Sequence, residues 1–226
     1  MFPLRDDQPK YSKPVICVLL IVLNAVIFLH EMQLEDYSQN FFISRYGLVP
    51  DHFHYYALIT SQFLHGGWLH IIGNMVFLWG FGRSLEDAMG GFKFLAFYLL
   101  CGCAAGLTQA FMSAGSHVPT IGASGAIAGV MGAYVLKFPR AHIYSLVFIF
   151  VFITRIDIPV IFFIPYWFLT QVFNGVGSIG YSNISEGGTA WFAHIGGFIV
   201  GMILVSVMGT HVVAGSRYVR GRQSRW

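Results

Sequence analysis

Long apolar runs, two of them close to twenty residues, separated by short charged punctuation, constrain this chain more than any other feature of it. A helical run of that length matches the hydrocarbon thickness of a bilayer. Hydrophobic residues make up 56% of the chain and charged residues 10%, against about 25% charged in an average soluble domain. So little polar surface cannot cover a water-soluble globule of this size, so the apolar surface is expected to face lipid. Nucleic acid is not an expected partner, because no basic patch interleaved with aromatics occurs outside the short C-terminal tail. Cys17, Cys101 and Cys103 lie within apolar segments. They read as small hydrophobes, neither a disulfide framework nor a zinc pattern.

The pattern predicts six spans, roughly Pro14–Leu29, Leu69–Gly82, Phe92–Met112, Ser124–Lys137, Pro159–Phe173 and Thr189–Val207. One segment is open to more than one reading. Ile143–Ile153 is apolar but runs straight into Arg155, Asp157 and Pro159. It fits part of a long, broken fifth helix, or an apolar segment lying along the interface; a seventh span there would reverse the side of the C-terminus.

Basic residues arbitrate, because they accumulate on the cytoplasmic side of short loops. Arg5, Lys10 and Lys13 precede the first span, and Arg83 and Lys93 flank the second turn. Lys137, Arg140 and Arg155 follow the fourth span, and Arg217, Arg220, Arg222 and Arg225 fill the tail. The alternate connections carry Glu31, Glu35, Asp36, Asp51 and Glu186, with no charge between Met112 and Ser124. Six spans put every basic cluster on one side and both termini in the cytoplasm.

The expected organisation is one domain, 1–226. It has a short cytoplasmic N-terminus (1–13), a first extramembrane loop at about 30–67 and a basic cytoplasmic tail at about 209–226. The loop holds Tyr37, Phe41, Phe42, Tyr46, Phe53, Tyr55 and Tyr56. Amphipathic rings favour headgroup depth, so a folded, interface-hugging segment is expected there. The exit from the first span, Leu29-His30-Glu31-Met32, lacks a small-residue cleavage pattern, so a retained helix is expected rather than a signal peptide.

Polar side chains inside such spans are costly and point by default to function. Ser124, in Gly122-Ala123-Ser124-Gly125, opens the fourth span, and His194, in Ala193-His194-Ile195-Gly196-Gly197, lies in the sixth. A hydroxyl and an imidazole are the minimal parts of a nucleophile with its general base. Each also has a structural reading: a helix N-cap or packing residue for Ser124, an interhelical hydrogen bond for His194. Gly122 and Gly125 would let a substrate backbone approach. Gly125, Gly129 and Gly132 on one helix and Gly196, Gly197 and Gly201 on the other would let the helices pack closely, with Gly197 and Gly201 at GxxxG spacing.

His70 and Asn74 share a helix face at i and i+4. Both can donate and neither is anionic, which suits an oxyanion site or an interhelical clamp. His65 reads as a structural loop residue and Glu86 as a cap or salt-bridge residue. No His-Glu-x-x-His occurs, so no metal is expected. No carboxylate stands within the spans to complete a triad, so a Ser-His dyad is expected.

These segments together resemble the rhomboid family of intramembrane serine proteases. The resemblance runs from Gly47-Leu48-Val49-Pro50 through Phe63-Leu64-His65-Gly66-Gly67-Trp68-Leu69-His70 and Phe81-Gly82-Arg83-Ser84-Leu85-Glu86 to the serine and histidine segments. It implies an all-α membrane protein, a six-transmembrane-helix bundle of the bacterial form, with no cofactor. It also implies Ser124 as nucleophile, His194 as base, and His70, Asn74 and the Ser124 N–H as the oxyanion hole. The implied substrates are transmembrane segments of other proteins, and the implied location is a lipid bilayer, a bacterial inner membrane. Two positions depart from some family members: Ala128 replaces an aromatic one turn after the serine, and Tyr56-Ala57 replaces a Trp-Arg pair. The alternatives are an inactive, client-binding relative, a lipid-directed esterase using the same dyad, and a small-molecule transporter. The last would predict inverted repeats and paired intramembrane charges, which are not seen.

Overall fold

The computed structural model describes residues 2–149, 152–179 and 190–210. Of the features read from sequence, Glu186 and the tail arginines Arg217, Arg220, Arg222 and Arg225 lie outside the described residues.

Most of the apolar runs become helices. The first, α1, spans Val15–Glu31. The first loop folds into α2 (Asp36–Tyr46), a short α3 (Ala57–Thr60) and a 3₁₀ turn at Ser61–Phe63. The second run is α4 (Trp68–Phe77), which passes through a π-helical turn at Leu78–Gly82 into α5 (Arg83–Met89). Then come α6 (Gly91–Met112), α7 (Ser124–Lys137), α8 (Val160–Ile179) and α9 (Trp191–Met208). By length and composition Gly91–Met112, Val160–Gly177 and Trp191–Met208 can cross a membrane, whereas Val15–Glu31 and Ser124–Lys137 are shorter apolar helices.

The all-α expectation is corrected by a three-stranded antiparallel sheet. Its strands are β1 (Phe2–Asp6), β2 (His142–Ile149) and β3 (Phe152–Pro159), in the order β1-β2-β3. The open segment after α7 is therefore neither a piece of the fifth helix nor a seventh span. It is a hairpin, with His142 opposite Pro159 and Ile149 opposite Phe152. The physical reason is in its period: Ala141, Ile143 and Ser145 are buried while His142, Tyr144 and Leu146 are less so, and Arg155 and Asp157 are exposed. Alternation in a β-branched, aromatic run selects a half-buried strand. The N-terminal segment pairs with it, Asp6 opposite Ile143.

β1 also packs against the π-helical turn. Its Pro3 carbonyl lies 3.0 Å from where a Cβ on Gly80 would stand, so strand and helix meet at a residue without a side chain. The buried Asp6 carboxylate anchors the strand. It accepts from Lys10 Nζ at 2.6 Å, from Tyr134 Oη at 2.6 Å and from Ser84 Oγ. Buried charge of this kind is tolerated only when paired and hydrogen-bonded.

Glu86 acts as a cap, on a helix other than its own. Its two carboxylate oxygens accept the N–H groups of Ile16 (2.9 Å) and Cys17 (2.8 Å), satisfying donors that the first turn of α1 leaves unpaired.

The core of the bundle is α7, buried from Gly125 to Val135 between α6 and α9. Its glycines make that possible. A Cβ on Gly129 would stand 2.5 Å from Cys101 on α6 and 3.0 Å from the Gly197 carbonyl on α9. Side chains at Gly197 and Gly201 would overlap the carbonyls of Gly125 and Gly129, and one at Gly132 the carbonyl of Phe198. Gly196 faces α6 instead, against Thr108.

Two outcomes are expected from stability measurements by denaturant titration in mixed micelles. Gly201→Val forces α7 and α9 apart and destabilises by about 1–3 kcal/mol, as overpacking does. Glu86→Ala orphans the buried Cys17 N–H and the part-buried Ile16 N–H and lowers stability by about 1–3 kcal/mol. An unchanged midpoint in either variant would contradict the packing described.

Candidate active site

Ser124 is the first residue of α7, and the loop before it is tied down on both sides. Leu48 and Thr120 exchange backbone hydrogen bonds (3.0 and 2.8 Å), and the Gly122 N–H donates to the Ser61 carbonyl at 2.8 Å. Gly122 adopts φ +120°, a conformation that L side chains rarely take. The space a side chain would need is already used. A Cβ there would stand 2.7 Å from His70 Nε2 and 3.6 Å from Asn74 Nδ2. Ser124 therefore emerges, partly exposed, at a helix start whose first N–H groups have no intrahelical partner.

His194 lies one turn into α9, whose start is fixed by Gln109 Oε1 accepting the Ala193 N–H at 3.1 Å. The close glycine contact of α7 with α9 brings His194 Nε2 to 2.8 Å from Ser124 Oγ. The pair sits 70 residues apart in sequence and within hydrogen-bond distance in space. The other imidazole nitrogen, Nδ1, lies 2.7 Å from Gln171 Oε1 on α8. Trp167 and Trp191 flank the ring, with centroids at 5.8 and 6.3 Å. Among the described residues no carboxylate bonds to His194.

Sequence reasoning missed Gln171 and Trp167. The available signal was an amide in a largely apolar helix, in Trp167-Phe168-Leu169-Thr170-Gln171-Val172-Phe173, with a second amide at Asn174. Ala128 is fully buried, so α8 and the start of α9 supply what a ring on α7 does not.

His70 and Asn74 rise from α4 on the other side of Gly122. The Gly66 N–H donates to His70 Nδ1 at 3.4 Å, which makes Nδ1 an acceptor and leaves the hydrogen on Nε2. That N–H and the Asn74 amide, whose Nδ2 has no partner, converge on Gly122 two residues before Ser124. Two donors and a helix start thus face one small volume, an arrangement able to receive a developing oxyanion.

His65 is buried beneath this group, its ring 5.1 Å from that of His70 and its backbone N–H bonded to Glu31 Oε2 at 3.2 Å. Burial, and then His70, push its pKa down to about 3, so it stays neutral and is no base at neutral pH. In the first loop Tyr56 Oη donates to the Arg45 carbonyl at 3.0 Å and carries the Arg45 guanidinium over its ring at 5.5 Å.

Asp51, His52 and His117 bring possible metal-ligand atoms within 4.8 Å of one another, but all three are exposed, and both imidazoles already pair with Asp51 (3.4 and 3.1 Å). A groove of about 580 Å³ between α1 and α4, lined by Val18, Ile21, Phe28, Trp68, Ile72 and Trp79 among others, offers neither nucleophile nor base.

The family model for the rhomboid domain matches residues 52–211. Rhomboid protein 1, mitochondrial, of Saccharomyces cerevisiae is 34% identical over 96 residues, 41% of this chain and 28% of that protein. RHOMBOID-like protein 5 of Arabidopsis thaliana is 35% identical over 78 residues, 34% of this chain and 25% of that protein. The presenilin-associated rhomboid-like protein, mitochondrial, of Homo sapiens is 34% identical over 92 residues, 38% of this chain and 23% of that protein. The matched stretch thus spans about a quarter of the length of these relatives. This chain, a multi-pass membrane protein, belongs to the rhomboid family.

Proposed function

We propose that this protein is an intramembrane serine endopeptidase that cuts peptide bonds in or near transmembrane segments of other membrane proteins. The observation that carries this reading is the 2.8 Å approach of Ser124 Oγ to His194 Nε2, at the start of α7 and beside two convergent donors. In the proposed reaction His194 takes the Ser124 proton as Oγ attacks the scissile carbonyl. The tetrahedral oxyanion accepts from the Ser124 N–H, His70 Nε2–H and Asn74 Nδ2–H. His194 then gives the proton to the leaving amine, and water hydrolyses the acyl-enzyme by the reverse sequence.

Helical peptide bonds are hydrogen-bonded and shielded, so substrates with Gly, Pro or polar residues near the cut unwind at less cost. The family relatives support a protease, and membership of the family supports a multi-pass protein. The finer assignment is a single six-span domain in a bacterial inner membrane with both termini cytoplasmic; its orientation rests on the one-sided placement of basic residues.

The test is cleavage of a fluorescent transmembrane substrate in liposomes, together with labelling by a fluorophosphonate. Ser124→Ala and His194→Ala are expected to abolish cleavage with the fold intact, and Ser124→Ala to abolish labelling. Asn74→Ala is expected to lower kcat about 10²–10³-fold, as loss of one oxyanion donor does in a serine protease. Full activity in Ser124→Ala would overturn the mechanism.

A further inference from the structure

We infer that Gln171 is the positioning residue of this site: its side-chain carbonyl selects the tautomer in which His194 Nδ1 carries the hydrogen and Nε2 is free to accept from Ser124. The inference rests on the protease reading for its consequence, but not for its structural content.

The argument starts from the other end of the amide. Gln171 Nε2 lies 3.1 Å from the Trp167 carbonyl, one turn back on α8, and 3.0 Å from Thr170 Oγ1. A backbone carbonyl can only accept. The Gln171 nitrogen must therefore face Trp167, because the flipped amide would set oxygen against oxygen. That orientation aims Oε1 at His194, 2.7 Å from Nδ1. Oε1 also only accepts, so Nδ1 must donate. A neutral imidazole carries one hydrogen, and with it on Nδ1 the lone pair of Nε2 points to Ser124 Oγ. Each step forces the next, from a main-chain carbonyl on α8 to the hydroxyl on α7.

The same amide does a second job when the proton moves. An imidazolium at His194 keeps its Nδ1–H bonded to Oε1, so the ring does not turn during transfer. Trp167 and Trp191 flank the ring but cannot choose a tautomer. Gln171 is buried and Thr170 Oγ1 is itself bonded to the Trp167 carbonyl at 2.6 Å, so the amide is held from both sides.

The experiment uses full-length protein with ¹⁵N-labelled histidine in lipid nanodiscs, with the His194 signals assigned by their loss in His194→Ala. The wild type is expected to show neutral His194 with hydrogen on Nδ1. Gln171→Met, which keeps the side-chain length and removes the acceptor, is expected to shift that signature toward the Nε2–H form. It is also expected to lower kcat at least about 10–100-fold, the range seen when the partner of a metal-bound imidazole is deleted, with KM little changed. Gln171→Glu, whose protonated carboxyl can donate to the Trp167 carbonyl and still accept from Nδ1, is expected to recover most of the rate and the Nδ1–H signature. Retention of the Nδ1–H signature in Gln171→Met would overturn the inference. So would a variant whose melting temperature falls while kcat is kept, since that marks a mere clamp between α8 and α9. The tautomer is read without turnover. A wild type that neither cleaves nor reacts with a fluorophosphonate would therefore refute the protease reading and leave the tautomer result to decide this one.

Discussion

The backbone-to-backbone contact of α7 with α9 is the constraint on which the rest of the site depends. Lipid tails are as apolar as leucine, so helices in a membrane gain little from merely hiding hydrophobic side chains from it. Close packing and hydrogen bonding remain. Carbonyls of Gly125 and Gly129 fill the space that side chains on Gly197 and Gly201 would take. That approach sets the separation of two helix starts, and so of Ser124 and His194. Alanine at Gly197 or Gly201 would set a methyl group against those carbonyls, so the two helices could not keep this approach.

Around that contact the polar groups of the bundle are largely consumed by specific tasks. Gln109 caps α9, Glu86 caps α1, and Asp6 holds the N-terminal strand to Tyr134 and Ser84. Several buried polar atoms have no partner among the described residues, among them Asn74 Nδ2, Asn24 Oδ1 and the Tyr98 hydroxyl. An unpaired atom is therefore not by itself a mark of function here. Asn74 differs by its setting, because its amide and His70 Nε2 converge where Gly122 leaves room beside the nucleophile.

Much of this was legible beforehand, for reasons that differ from residue to residue. Ser124 opens α7 as read, since the apolar run and the residues before it mark a helix start. Ser124 and His194 were paired by side-chain chemistry and by the family resemblance, His70 and Asn74 by their i, i+4 spacing on one helix face. The hairpin was not read because the apolar run after Pro139 was weighed by length, as a candidate span, when its twofold alternation held the answer. Gln171 escaped because the search for a group behind His194 looked for a carboxylate or for an aromatic at the position of Ala128. An amide on a third helix satisfies neither template, and only the packing of α8 on α9 brings it to Nδ1.

That a neutral group stands there follows from the medium. A serine hydrolase in water can place a buried aspartate behind its histidine, where the Nδ1–H bond and the imidazolium that forms compensate its charge. Burying an unpaired carboxylate costs several kcal/mol even after relaxation, and among the described residues no cation pairs with the Gln171 position. Before proton transfer the imidazole is neutral and offers no compensating charge. An amide presents the same acceptor with no net charge, and its two ends are satisfied in the resting state, one by Trp167 and Thr170, the other by His194. It forgoes the electrostatic stabilisation of the imidazolium that an aspartate supplies. What it keeps is direction: the hydrogen stays on Nδ1, and the lone pair of Nε2 stays on Ser124.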